Sequence, residues 1–215
     1  MILVHAAAAR SIRNVMENNQ IKILIQGYAK KIADGWLASS TVTLIESDSK
    51  KIIVDPGCNR TELLKALAGN KLTTTDIDYV LLTHNHTDHQ LLTGIFENAK
   101  VLNDTEIYEN DKQIDHKNII PGTDLKIIQT PGHDQFHCAL IVPTDDGTYV
   151  VAGDVFWWMD NDEQKTDYES LIKHKDPYVK DEKVLGNSRK KILEIGDFII
   201  PGHGKVFKVI KKEQK

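Results

Sequence analysis

Thr83-His84-Asn85-His86-Thr87-Asp88-His89 puts four metal-capable side chains within seven residues. A neutral imidazole binds zinc through one ring nitrogen, and a carboxylate binds through oxygen. The run follows Tyr79-Val80-Leu81-Leu82, an apolar segment that reads as a buried strand, which predicts ligands in the loop at its end. Three more ligand types follow, each at the end of another apolar segment. They are His133 in Thr130-Pro131-Gly132-His133, Asp154 in Val150-Val151-Ala152-Gly153-Asp154, and His203 in Pro201-Gly202-His203-Gly204. Seven such donors suffice for two metal ions that share one carboxylate. Five of the nine histidines fall in these motifs, a concentration that a random surface does not give.

The rest of the composition suits a cytoplasmic enzyme. A chain of 215 residues can bury a sizeable core as one domain, expected here over residues 21–215. Net charge is -4, from 27 basic and 31 acidic residues, so no overall basic field points to nucleic acid or membrane. Two cysteines, Cys58 and Cys138, are too few for a disulfide framework and read as core or near-core residues. Residues 1–20 read as a peripheral extension, with a helix between Ala6 and Met16. Their apolar run is broken by His5, too short for a membrane span and poor as a secretory signal.

From Ile21 onward strands and helices alternate. β-branched stretches predict strands at Ile21–Ile25, Thr41–Ile45 and Lys51–Val54, with a hairpin loop between Gly27 and Ser40. Asn59 caps a helix over Arg60–Ala68 that Gly69 closes. A short helix is expected near Gln90–Phe96, and strands at Lys100–Leu102, Leu125–Gln129, Cys138–Val142, Thr148–Val151 and Phe198–Ile200. Further helices are expected near Asp167–His174 and Asp181–Ile195. This pattern says α/β but does not fix the sheet order.

The ligand set resembles the metallo-β-lactamase superfamily. His84, His86, Asp88 and His89 match its H-x-H-x-D-H motif, and His133, Asp154 and His203 match its later His, bridging Asp and final His. The resemblance implies an αββα sandwich of two sheets between outer helices. It implies one metal on His84, His86 and His133, a second on Asp88, His89 and His203, and Asp154 between them. Stretches outside the motif, including Leu24–Tyr28, Gly153–Phe156 and Ser188–Leu193, resemble small single-domain members. Asp55-Pro56-Gly57 resembles a family turn whose Asp holds a ligating His in place, a role chemistry supports because such a His usually passes its second N–H to a carboxylate.

A two-metal hydrolase is the economical reading. The expected cofactors are two zinc ions, with iron or manganese acceptable to the same donors. A hydroxide shared by the metals is the expected nucleophile, with Asp88 orienting it and handling its proton. No G-x-S-x-G elbow offers a protein nucleophile instead. The chain's length leaves no room for the extra domains of glyoxalase II-type enzymes or large RNA nucleases of the superfamily. A small-molecule ester, lactone or thioester therefore ranks first and RNA phosphodiester cleavage second. A metal-binding scaffold without turnover ranks third, since degenerate relatives of that kind lose ligands. His137 stands open between a site role and packing, His116 and His174 read as surface residues, and Trp36, Trp157, Trp158 and Met159 are candidates for a groove wall.

Overall fold

The computed structural model describes residues 19–210; the helix expected between Ala6 and Met16 lies outside them. Seven strands make the first sheet: β1 (Gln20–Ile25), β4 (Val42–Ser47), β5 (Lys50–Val54), β6 (Tyr79–Leu81), β7 (Lys100–Leu102), β8 (Glu106–Glu109) and β9 (Lys112–Asp115), in that spatial order. Five make the second, again in spatial order: β10 (Lys126–Gln129), β11 (Cys138–Thr144), β12 (Gly147–Trp157), β13 (Phe198–His203) and β14 (Phe207–Lys208). A separate two-stranded ribbon joins β2 (Tyr28–Ile32) to β3 (Gly35–Ser39). The helices are α1 (Arg60–Gly69), α2 (Thr87–Gln90), α3 (Tyr168–Ile172) and α4 (Glu182–Ile195).

Strand alternation explains why these layers stack. Successive side chains of a strand point to opposite faces, and here both faces are apolar. Ile45, Ile52, Val54 and Leu81 face Ile127, Leu140, Val142, Val151 and Ile200 in a core between the sheets. The intervening residues Leu44, Ile53 and Val80 pack outward against Leu63 and Leu67 of α1. Ala139, Val150, Ala152 and Ile199 of the second sheet pack outward against Leu171 of α3 and Leu185, Ile192 and Leu193 of α4. Three apolar layers between four layers of structure make an αββα sandwich. Side chains of Asn59, Asp167 and Asp181 accept the backbone N–H three residues on, capping α1, α3 and α4. Among the described residues no helix is long and apolar enough to cross a membrane.

Several elements differ from expectation. The helix expected at Gln90–Phe96 begins earlier, inside the ligand run, as α2, and a separate 3-10 turn covers Thr93–Ile95. The strand expected to stop at Val151 continues to Trp157, so Asp154 lies within β12; its pairing with β13 is irregular around Gly153. β8 and β9 were not anticipated, because Glu106–Asp115 is polar and β9 is wholly exposed. The loop expected between Gly27 and Ser40 holds the β2–β3 ribbon.

Candidate metal centre

Parallel pairing aligns the carboxyl ends of β5 and β6, and of β12 and β13, at one rim of the sandwich. The loop after β6 carries His84 and His86, and α2 carries Asp88 and His89. His133 comes from the loop after β10, Asp154 from β12 and His203 from the last residue of β13. The structure brings all seven together in two groups. One donor atom from each of His84, His86, His133 and Asp154 lies within 4.8 Å of the others, and the same holds for Asp88, His89 and His203.

Asp154 stands between the groups, buried, with one oxygen toward each. Its Oδ2 is 3.4 Å from His133 Nε2 and 3.8 Å from His84 Nε2. Its Oδ1 is 3.3 Å from His89 Nε2 and 3.7 Å from His203 Nε2. Backbone spacing permits this. A side chain on Gly202 would overlap Asp154 Oδ1, and one on Gly153, whose φ is +50°, would press on Thr83 and His137.

The outer nitrogens of His84, His89 and His203 are fixed. His89 Nδ1 lies 2.8 Å from Asp55 Oδ2, which also accepts the Thr83 hydroxyl at 2.7 Å, while Asp55 Oδ1 accepts the Thr83 N–H. With its hydroxyl proton committed to Asp55, Thr83 can only accept from His84 Nδ1, at 3.0 Å. His203 Nδ1 donates to the Tyr28 carbonyl at 3.0 Å. Asp55 has the left-handed backbone expected of few residues other than Gly, Asn and Asp (φ 51°), which turns its carboxylate beneath His89. The sequence reading placed Asp55 under a ligand, and the geometry names that ligand as His89.

These bonds hold the Nε2 lone pairs inward. Buried polar atoms normally find partners, yet His84 Nε2, His89 Nε2 and Asp154 Oδ1 have no hydrogen bond. Convergent, unsatisfied nitrogen and oxygen donors with their outer atoms tied down are what a borderline cation such as zinc requires. The residues present fit the implied metals.

The charge states of His84 and His86 agree with that fit. Burial, reinforced by neighbouring imidazoles, holds His84 well below the usual histidine range, and burial lowers His86 as well, so both offer lone pairs at neutral pH. Burial opposes charge on His89, but Asp154 and Asp55 together outweigh it and push that imidazole well up. Asp154 itself is held well below the usual carboxylate range, burial being outweighed by His89 and His203. The pocket is arranged to favour positive charge beside Asp154.

Other expectations need correction. His137 is fully buried: Nδ1 meets the Thr130 hydroxyl at 2.9 Å, its ring stacks on His84 at 4.9 Å, and burial lowers its pKa to about 3. It packs beneath the site. His174 is half-buried and not freely solvated, its Nε2 donating to the Trp157 carbonyl at 2.6 Å. His116 is likewise half-buried and hydrogen-bonded to the 103 carbonyl. Cys58, half-buried, lines the groove above both donor groups. Sequence reasoning missed Asp176, whose Oδ2 lies 2.6 Å from His133 Nδ1; a lone Asp before Pro177 in a loop gives no signal of that contact.

A groove of about 550 Å³ opens above both groups, within the range of small-ligand sites. Trp36, Leu91, Trp157 and Tyr178 supply its apolar walls, and Asn85, Asp88 and Cys58 its polar edge; among the described residues no Lys or Arg lines it. Of the expected wall residues, Trp36 and Trp157 face this groove. Trp158 packs in the core beneath α3 and α4 instead.

The comparisons agree with this geometry. A metallo-beta-lactamase superfamily profile matches residues 35–99. Metallo-beta-lactamase domain-containing protein 1 of Xenopus laevis is 32% identical over 206 residues, covering 91% of this chain and 84% of the relative. Among solved structures, AidC, a dizinc quorum-quenching lactonase, superposes with a TM-score of 0.55 at 14% identity, covering 85% of this chain and 83% of its own. TTHA1623 in a di-iron-bound form superposes with a TM-score of 0.54 at 19% identity, covering 79% and 90%. Sandwich, donor set and a one-third identity that spans nearly the whole chain converge: this protein belongs to the metallo-β-lactamase superfamily of metal-dependent hydrolases.

Proposed function

We propose that the chain is a two-metal hydrolase of a small ester, lactone or thioester. The observation that carries this reading is Asp154, with one oxygen toward each donor group. His84, His86 and His133 would hold one cation, Asp88, His89 and His203 the other, and Asp154 both. Zinc suits the nitrogen-rich donors, and iron or manganese is accepted by the same set; AidC is named as dizinc and TTHA1623 as di-iron. Bound together, two such cations would lower the pKa of a shared water toward about 7 and polarise the bond under attack.

The chain's own residues do the rest. Asp88 is the ligand-type carboxylate most open to the groove, its side chain 29% exposed against 6% for Asp154. Its Oδ2 sits 3.2 Å from His203 Nε2, and that contact, with His89, outweighs burial and keeps its carboxyl below the usual range. Ionised at neutral pH and open to the groove, it could take a proton from attacking water and pass it to a leaving group. The aromatic walls would seat an apolar substituent, and Asn85 could meet a polar one.

Two measurements test the reading. Elemental analysis of fully loaded protein should give close to two transition-metal ions per chain; one or fewer would sink the two-metal reading. Hydrolysis of a chromogenic ester or lactone should change little between low and moderate salt, because no Lys or Arg among the described residues lines the groove to pair with phosphates. RNA binding, by contrast, weakens steeply with salt as counterions are released. Cleavage of single-stranded RNA with a strong salt slope would reverse the substrate ranking in favour of an endoribonuclease.

A further inference from the structure

His133 is held from a direction that none of the sequence motifs indicated. Asp176 follows α3 in a loop, its side chain 1% exposed, and divides its two oxygens. Oδ1 accepts the backbone N–H of Tyr178 at 2.9 Å, closing a tight turn, and Oδ2 meets His133 Nδ1 at 2.6 Å. That turn also presents the Tyr178 ring to the groove, where it lies 5.8 Å from Trp157 and 6.5 Å from Trp36.

Two adjacent residues of α4 lock this arrangement. The Ser188 hydroxyl donates to the Pro131 carbonyl at 2.7 Å, fixing the loop that carries His133. Arg189, buried at 3% exposure, donates through Nε to the Val155 carbonyl at 3.1 Å and through Nη1 to the His174 carbonyl at 2.6 Å. Val155 directly follows Asp154, and His174 lies two residues before Asp176. A buried guanidinium is expensive unless its donors are used; here Nε and Nη1 bond to backbone carbonyls, while Nη2 is buried with no partner among the described residues. Burial accordingly lowers its pKa to about 10.

We propose that Asp176 is a positioning residue for His133, and that Arg189 holds it there by tying its loop to the strand that bears Asp154. The inference rests on the two-metal reading of the same site. By accepting the Nδ1 proton, Asp176 keeps the Nε2 lone pair facing the metal. The clamp makes the spacing of His133 and Asp154, donors of the same group, depend on one side chain from α4.

Asp176→Asn separates this role from the turn. Its amide oxygen can still accept the Tyr178 N–H, but the amide nitrogen then confronts His133 Nδ1 with a donor. His133 must then carry its proton on Nε2, where the metal has to bind. Zinc titration of metal-free protein against a chromophoric chelator should show one of two stepwise affinities reduced about 10- to 100-fold, the range typical of lost outer partners. The other affinity should stay within about twofold, which a general loss of structure would not allow. Arg189→Lys should weaken the same step, and the double variant should lose less than the two single losses combined, as coupled residues do. Two unchanged affinities in Asp176→Asn would overturn the assignment, and strict additivity in the double variant would overturn the clamp. Wild-type protein that binds fewer than two zinc ions would instead count against the two-metal reading itself.

Discussion

Asp154→Ala is expected to release metal from both groups at once and to abolish turnover. The two Asp154 oxygens approach His133 and His89 at 3.4 and 3.3 Å, so neither group keeps its inner carboxylate after truncation. Loss of an outer partner typically costs about 10- to 100-fold in metal affinity, and loss of a direct shared donor should exceed that at each position. The cavity left behind is deep in the site, because Asp154 is only 4% exposed. Elemental analysis after gel filtration, with circular dichroism to verify the fold, reads the outcome. Two tightly retained ions in a folded Asp154→Ala protein would mean that the shared ligand has been assigned wrongly.

The second large effect concerns Asp88. Asp88 and His89 are consecutive in α2, yet their environments diverge. His89 is fully buried and anchored on Asp55, whereas Asp88 lines the groove. Asp88→Asn keeps an oxygen that coordinates weakly, but removes the negative charge and the proton acceptor. General acid–base assistance is typically worth about 10² to 10⁴ in rate, so kcat should fall by that order. Metal at the His84, His86 and His133 group should be retained, since that group does not use Asp88. Near-normal turnover with both metals bound would remove Asp88 from the mechanism.

How legible the site was depended on how local each contact is. The seven donors could be read because they sit in short runs within or just after apolar strands, and Asp55 because Asp-Pro-Gly after a strand resembles a motif of the family. Asp176 could not, since it meets His133 from 43 residues away in a loop without periodicity. Cys58 reads from sequence only as a core or near-core residue, because its sequence neighbours do not reveal that Ala38 and Asp88 border the same groove. His174 likewise looked solvated, because its partner carbonyl at Trp157 is 17 residues away. In the fold, both-sides-apolar strands such as β5 and β13 declared themselves, while the half-exposed polar pair β8–β9 did not. Sheet order came from the family resemblance, as alternation alone is silent on which strands are neighbours.

Segments from the first and last parts of the described chain meet beside His203. Its ring is held by the Tyr28 carbonyl, 175 residues earlier, while the Thr41 N–H donates to the Gly202 carbonyl at 2.7 Å and the Gly204 N–H to Gly27 at 3.1 Å. Contacts between such distant segments require a large loop to close, and chains dominated by them fold slowly. A chain synthesised only as far as residue 150 already has His84, His86, Asp88, His89 and His133, but lacks Asp154 and His203. The first group is therefore incomplete until β12 is in place, and the second until the end of β13, which bears His203, is laid against the β2–β3 ribbon. A cation that binds only the finished arrangement stabilises the native state alone and acts mainly by retarding unfolding. The metal would be a latch on a closed structure, not a seed for building it.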